Sequence, residues 1–362
     1  MSLQYEVPRL PQPSELAQAK SLIRALHGQA HAEPPFWFMR QAGRYLPEYR
    51  TIRAQARDFI ELCLTPELAA EITLQPVRRF AMDAAILFSD ILMVPYGLGQ
   101  KVEFREGEGP ILVPIRDASA IARLGEGLNG FAGRVAPVFE TVRRVANALP
   151  LDTALIGFAG APWTVATYMV EGGSSRDFAH VRQMAYAAPD LFQRLIDLLV
   201  DATSVYLSAQ LAAGAEALQL FDTWAGMLPE GEFQRWCVAP VREIVARVRA
   251  RYPAAPIIGF PKGAGVRYEG FAELTGVDAV SLDVGVPVEW AASRIQPGAA
   301  VQGNLDPMLL VVGGRQMETA AARILRGLGR GPFVFNLGHG ILPTTPIEHV
   351  AHLCEIIHKW RA

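Results

Sequence analysis

Two arginines four residues apart, Arg40 and Arg44, flank Gln41, Ala42 and Gly43 inside the aromatic stretch FWFMRQAGRYLPEYR. A guanidinium offers a planar fork of donors that matches a carboxylate through two bonds at once, so this pair suits an anionic, carboxylate-bearing ligand. Salt bridges to Glu48 or Glu61 would use the same groups structurally. The residues between the arginines supply backbone N–H groups in a tight turn, a further set of donors for an anion. Asp90 follows the apolar run AILFS, where an ionised carboxyl with little water needs N–H donors or a facing cation. A rim aspartate is ordinarily a helix cap or an ion-pair partner, but the next residues, ILMVP, present no polar helix start for it to cap. Tyr168, five residues past Trp163, carries a phenol that either donates to a ligand carboxylate or packs by its ring. Thr223 in FDTWAG offers a hydroxyl. His339, between two glycines, is either a ligand contact with unhindered access or a hydrogen-bonded structural residue. Gly172-Gly173-Ser174-Ser175 reads as a mobile loop or an anion-binding nest.

Other chemistries find less in the chain. It has no HxH or HExxH motif, so no metal site is expected. No GxGxxG follows a strand-like run and no GxxxxGK[ST] occurs, which leaves nucleotide binding without a motif. Lys262 could form a Schiff base, yet Pro261 and Gly263 on either side point to a turn. Cys63, Cys237 and Cys354 are far apart and odd in number, which argues against a disulfide framework and for a reducing compartment. With 34 Lys+Arg against 36 Asp+Glu there is no basic excess to attract nucleic acid. The start, MSLQYEVPRLPQPSELAQAK, lacks a cationic segment followed by an apolar one, and no run approaches the ~18 apolar residues of a membrane span. The expectation is a soluble, cytoplasmic protein without a membrane partner.

The elements that must position these residues are legible as an alternation. Short β-type runs occur at 35–39, 84–88, 154–158, 217–221, 256–260, 279–283, 299–303 and 333–337. Between them lie helix-length segments at 66–80, 128–148, 189–213, 229–251, 267–275, 287–295, 314–328 and 346–360, several opening on proline. Runs that are apolar throughout belong to parallel sheets covered by helices. Eight such units close most simply as one (β/α)8 TIM barrel spanning 1–362, with a doubly wound open sheet or two smaller α/β domains as the alternatives. No linker rich in Pro, Ser and Gly divides the chain, and hydrophobic residues at 51% suffice for a large core. The first ~34 residues form an N-terminal extension beyond the barrel minimum. EGEGP, between two β-type runs in GQKVEFREGEGPILVPI, predicts a hairpin inserted after the second strand.

A barrel carries its chemistry where strands end. There the chain reads Arg40 to Arg44, Ser89-Asp90, Gly160-Ala-Pro-Trp163, Asp222-Thr223-Trp224, Pro261-Lys262-Gly263, Asp283, Asn304-Leu-Asp306 and Gly338-His339-Gly340. Small and polar residues gather at that rim. The opposite rim is Gly/Pro-rich as well, so the asymmetry suggests the site without deciding it.

At FWFMRQAGRYLPEYR, LFSDILMVPYGLG, GFAGAPWTVATYMVEGG, LQLFDTWAG, GNLDP and FNLGHGILPTTP, nearly end to end, the chain resembles the uroporphyrinogen decarboxylase family of haem biosynthesis. The resemblance implies a single barrel, a homodimer, and removal of CO2 from the four acetates of uroporphyrinogen III to give coproporphyrinogen III without metal or organic cofactor. The family's substrate-binding positions fall on Arg40, Gln41, Ala42, Gly43, Arg44, Asp90, Tyr168, Thr223 and His339, with Asp90 stabilising a cationic pyrrole and Arg40 or His339 among the sources of the proton. Two rivals remain. A corrinoid-linked methyltransferase of similar fold would need a His-x-Cys pair where this chain has GFPKGAG, and a tetrapyrrole carrier would use the same pocket without chemistry.

Overall fold

The computed structural model describes residues 20–105 and 107–362. The first 19 residues, most of the expected N-terminal extension, lie outside the described part, as does Glu106. Seven parallel strands form one sheet in the order β1 (Ala84–Ile86), β4 (Ala154–Gly160), β5 (Ala217–Asp222), β6 (Ile257–Pro261), β7 (Ala279–Ser281), β8 (Ala300–Leu305) and β9 (Phe333–Leu337). The remaining two, β2 (Val102–Arg105) and β3 (Gly109–Leu112), pair antiparallel as the expected hairpin. Every residue of the seven-stranded sheet but Phe221 is buried, as strands covered on both faces must be.

The eighth stave of the barrel belongs to the first run, and it is irregular. Phe36 makes a single parallel bridge to Phe335, supported by Trp37 N–H to Phe335 O (3.3 Å) and Phe335 N–H to Pro35 O (2.9 Å). On the other side Asp83 N–H donates to Phe36 O (3.1 Å). Pro35 has no N–H, while the N–H groups of Phe36 and Met39 go to the side chains of Asp83 (3.0 Å) and Asn336 (3.0 Å). Side-chain acceptors thus replace the ladder that a regular strand would make, and the sheet closes without one. Closure shows inside as well: Gln302 on β8 donates to Gln219 on β5 (3.0 Å) and to Ser281 on β7 (3.0 Å), and accepts from Trp37 Nε1 (2.9 Å). The lumen of a closed barrel is what brings side chains of non-adjacent strands into one layer.

Helices Pro66–Phe80 and Gly314–Leu328 fall where the spacing puts them. Two others are broken. The segment 128–148 divides into a 3-10 turn, Leu128–Gly130, and helices Phe131–Arg134 and Ala136–Ala148, because Gly130, Gly133 and Pro137 interrupt a single ladder. Segment 229–251 carries a π turn, Gln234–Val238, just before Pro240, whose missing N–H is accommodated there. Helices Pro162–Glu171 and Ala179–Ala187, which the spacing does not predict, complete the layer after β4. Helix Pro189–Ala212 is long and apolar enough to cross a bilayer, but it packs on helix Ala239–Arg249 and β4, with 72% of its most apolar window buried.

Candidate active site

Asp90 sits on the turn after β1, where Leu87 N–H still pairs with Ile156 O (3.0 Å). Its Oδ1 accepts the Leu92 N–H (2.8 Å), just before a short helix, Met93–Gly97. The bond closes a local turn two residues long and does not cap that helix, whose N-cap, Leu92, makes no side-chain capping bond. It occupies one oxygen only: Oδ2 accepts no hydrogen bond from any described residue, and the side chain is half-buried. Burial pushes the carboxyl up to about 6 against the pull of the Leu92 N–H and the nearby Arg40 charge. No ion pair forms; Arg40 acts on Asp90 through space.

Arg40 leaves the first run at φ 58, a left-handed conformation that costs about 1 kcal/mol or more for a residue with a Cβ. Two glycines make room for it. A Cβ on Gly43 would meet Arg40 O at 3.1 Å, and one on Gly340 would meet Arg40 Cδ at 2.4 Å and Cγ at 2.6 Å. Neither Arg40 nor Arg44 has an ion pair or side-chain hydrogen bond to a described residue. The structural partners considered for them are engaged elsewhere: Glu48 holds Arg79 (2.7 and 3.0 Å), and Glu61 accepts the Arg57 N–H (2.6 Å). Both arginines are exposed, so their guanidiniums are hydrated and open to an anionic ligand.

Gln41 departs from the expectation of a ligand donor. Its N–H goes to Phe38 O (2.9 Å), its Oε1 accepts the Phe38 N–H (3.0 Å), its Nε2 donates to Ala84 O (3.0 Å), and it is fully buried. It rivets the irregular first run to β1, leaving the N–H groups of Ala42 and Gly43 as the free donors of the turn. Gln41→Ala is accordingly expected to cost about 2–4 kcal/mol of stability by orphaning two buried backbone groups, measured by urea unfolding; a loss under about 0.5 kcal/mol would contradict the rivet.

Helix Pro162–Glu171 carries Tyr168, whose ring tilts against Trp224 with centroids 6.4 Å apart. Burial first, then the Asp90 charge, push its phenol above the usual range, while Arg40 opposes. Thr223 comes directly after β5, half-buried, its hydroxyl unpartnered among the described residues. His339 lies just past β9, its ring 6.4 Å from that of Phe260. Burial, reinforced by the positive charges of Arg40 and Lys262, lowers it to about 4, so it is neutral near pH 7 and offers an N–H without a charge. The Arg40 charge acts on Asp90, Tyr168 and His339, and that of Asp90 on Tyr168, which gathers these residues from different segments around Arg40 at the C-terminal end of the barrel. Thr223 joins them through its neighbour Trp224.

Other rim residues turn out to be structural. Asp283 accepts from Gly263 N–H (2.6 Å), Tyr268 O–H (2.8 Å) and Gly285 N–H (2.8 Å). Asn304 donates to Asp283 O and Val286 O, both at 2.9 Å, and Asp306 caps the Met308 N–H (2.9 Å). The GGSS segment is pinned at both ends: Gly172 O accepts the Leu112 N–H of the hairpin (2.9 Å), and Ser175 Oγ accepts the Phe178 N–H (3.0 Å). Trp224, against which Phe178 also packs with centroids 4.9 Å apart, is a wall of the site; the sequence shows it at the rim within LQLFDTWAG but gives it no part there. Among the described residues no group of three or more His, Cys, Asp or Glu side chains is placed to hold a metal, and the three cysteines are buried and unpaired.

The sequence matches the family model described as uroporphyrinogen decarboxylase over residues 17–360. A Rhodospirillum rubrum protein called uroporphyrinogen decarboxylase is 56% identical over 342 residues, 94% of this chain and 98% of the relative. One of the same name from Brucella anthropi is 52% identical over 338 residues, 93% of this chain and 98% of its own. A solved methyltransferase from Methanosarcina mazei superposes with a TM-score of 0.73 at 19% identity, covering 93% of this chain and 97% of the other, which is a likeness of fold.

Proposed function

This chain belongs to the uroporphyrinogen decarboxylase family, and from that membership we propose that it removes CO2 from the four acetate side chains of uroporphyrinogen III, yielding coproporphyrinogen III. The observation that carries the reading is Asp90: a recessed carboxylate with one oxygen left open, at a mouth whose arginines have no anion of their own. Protonation of a ring carbon beside the pyrrole nitrogen makes the pyrrole cationic. Scission of the bond to the carboxylate then releases CO2, and the bonding pair flows into that cation, so the ring is its own electron sink. Return of a proton to the exocyclic carbon and loss of the ring proton leave a methyl group. The chain therefore has to stabilise a transient positive charge while gripping many negative ones. In this reading Asp90 Oδ2 accepts the pyrrole N–H groups and faces the cation, in surroundings where attraction is stronger than in water. Arg40, Arg44, the N–H groups of Ala42 and Gly43, Tyr168, Thr223 and neutral His339 receive carboxylates and select the acetate presented.

Incubating purified protein with the porphyrinogen and following CO2 release tests the reading. Stepwise loss of four carboxyls is expected, whereas tight binding without release would identify a carrier. The methyltransferase alternative has only the shared fold, since β6 ends on Phe260-Pro261 and runs into Lys262 with no His or Cys beside it. Arg44→Lys is expected to raise KM for the octacarboxylate roughly tenfold, because the charge stays and the fork is lost; steady-state kinetics with an unchanged KM would remove Arg44 from the carboxylate grip. A homodimer is supported by exposed Met227, Val266, Val284, Met308 and Val312, all on segments just past strands at the site's end of the barrel. Sedimentation equilibrium at 39.5 kDa would contradict it.

A further inference from the structure

We infer that Lys262 is a substrate-binding residue, its ammonium receiving a carboxylate of the porphyrinogen between Trp224 and His339. The inference rests on the decarboxylase reading and adds a cation to it. The root of this side chain is fixed: Lys262 N–H donates to Asp222 O (3.1 Å) and Phe260 O (3.0 Å), and its carbonyl accepts the Gly226 N–H (3.0 Å). Gly263 then turns away at φ 76, and Lys262 directly follows β6 at the mouth. The side chain is half-buried, yet its Nζ makes no hydrogen bond or ion pair with a described residue. Lysines are seldom buried without a partner. What it has is the face of Trp224, 5.9 Å from Nζ to the ring centroid, a weak attraction at that range.

The carboxylates on the flanking strands are committed. Asp283 accepts from three donors, and Asp222 is withdrawn by burial, one oxygen held by the Thr164 hydroxyl (2.5 Å) and the other without a partner among the described residues. Trp224 leads from Lys262 to Tyr168, and Phe260, two residues back on β6, leads to His339. The ammonium consequently stands among the groups assigned to carboxylates, and its charge contributes to keeping His339 neutral. With Arg40, whose charge also acts on His339, it makes two cations without protein anions at the mouth, facing the open oxygen of Asp90. A ligand rich in carboxylates completes that arrangement; a neutral one would leave it repulsive.

The test compares wild type, Lys262→Met and Lys262→Arg in CO2 release from the octacarboxylate, with Tm as a check on folding. Lys262→Met is expected to raise KM roughly tenfold or more, lower kcat much less, and make KM less sensitive to salt. Lys262→Arg should recover most of the lost affinity by restoring the charge. A wild-type KM and salt dependence in Lys262→Met would overturn the inference, as would a loss confined to kcat. Should Lys262→Met not fold, Lys262→Gln takes its place with the same expectations. Absence of CO2 release from the wild type would instead refute the decarboxylase reading, so the two failures are distinct.

Discussion

Asp90→Asn is expected to lower kcat for CO2 release by roughly a hundred- to a thousandfold, the usual consequence of deleting a preorganised group aimed at developing charge, while Thr223→Ala lowers it by less than about tenfold. The amide keeps the Oδ1 bond to the Leu92 N–H, so the turn should survive. Stability moves the other way from activity. An acid whose folded pKa is raised, here to about 6 against an ordinary 3.8, favours the fold most when protonated, and that contribution fades as pH climbs from 3.8 through 6. At pH 8 the ionised carboxylate therefore destabilises the protein, and Asp90→Asn should melt no lower than wild type. Equal turnover losses at positions 90 and 223, or a collapse of Tm in Asp90→Asn, would refute a charge held for catalysis at a cost in stability.

Gly340→Ala is expected to reduce kcat/KM by roughly ten- to a hundredfold although Gly340 itself is assigned no contact with the substrate. The added methyl would stand 2.4 Å from Arg40 Cδ and 2.6 Å from Cγ, closer than real Cβ contacts come, so the arginine stem has to move. The backbone at Gly340 is not in the left-handed region, and the clash falls on a flexible side chain, so the fold should tolerate the change. A displacement of about 1 Å is enough to spoil a positioned group. If the effect runs through Arg40, the double variant Arg40→Ala with Gly340→Ala should be little worse than Arg40→Ala alone. Fully additive losses in a double-mutant cycle would show that Gly340 acts through something else.

The barrel was legible because its strands are apolar runs bounded by small or polar residues, and seven of the eight runs lie on regular strands. The first escaped the pattern because its ladder is made by side chains, Asp83, Asn336 and Gln41, whose role in pairing no spacing rule reveals. Those same bonds explain the one site residue whose expected part shifted: Gln41 shares a motif with Arg40 and Arg44, but a motif does not say which of its members face the ligand. Asp90, Tyr168, Thr223 and His339 could be named from the polar positions at and beyond the strand ends. Their convergence could not, since it depends on closure of the sheet. Trp224 and Lys262 stand among the rim residues in the sequence, but nothing there assigns them these parts. A tryptophan in a loop is ordinarily packing, and a lysine flanked by proline and glycine looks like a surface turn until its lack of an anion is seen in three dimensions.

An ionised carboxylate at position 90 is the central claim, and the pH dependence of kcat/KM for wild type and Asp90→Asn probes that state directly. Since kcat/KM reports groups in the free enzyme, the wild-type profile should fall below an apparent pKa of about 6, with only about a tenth of the carboxylate ionised at pH 5. The residual rate of Asp90→Asn should lack that acid limb and stay level from about pH 5 to 8. The same limb in both proteins, or wild-type turnover in Asp90→Asn, would contradict the claim.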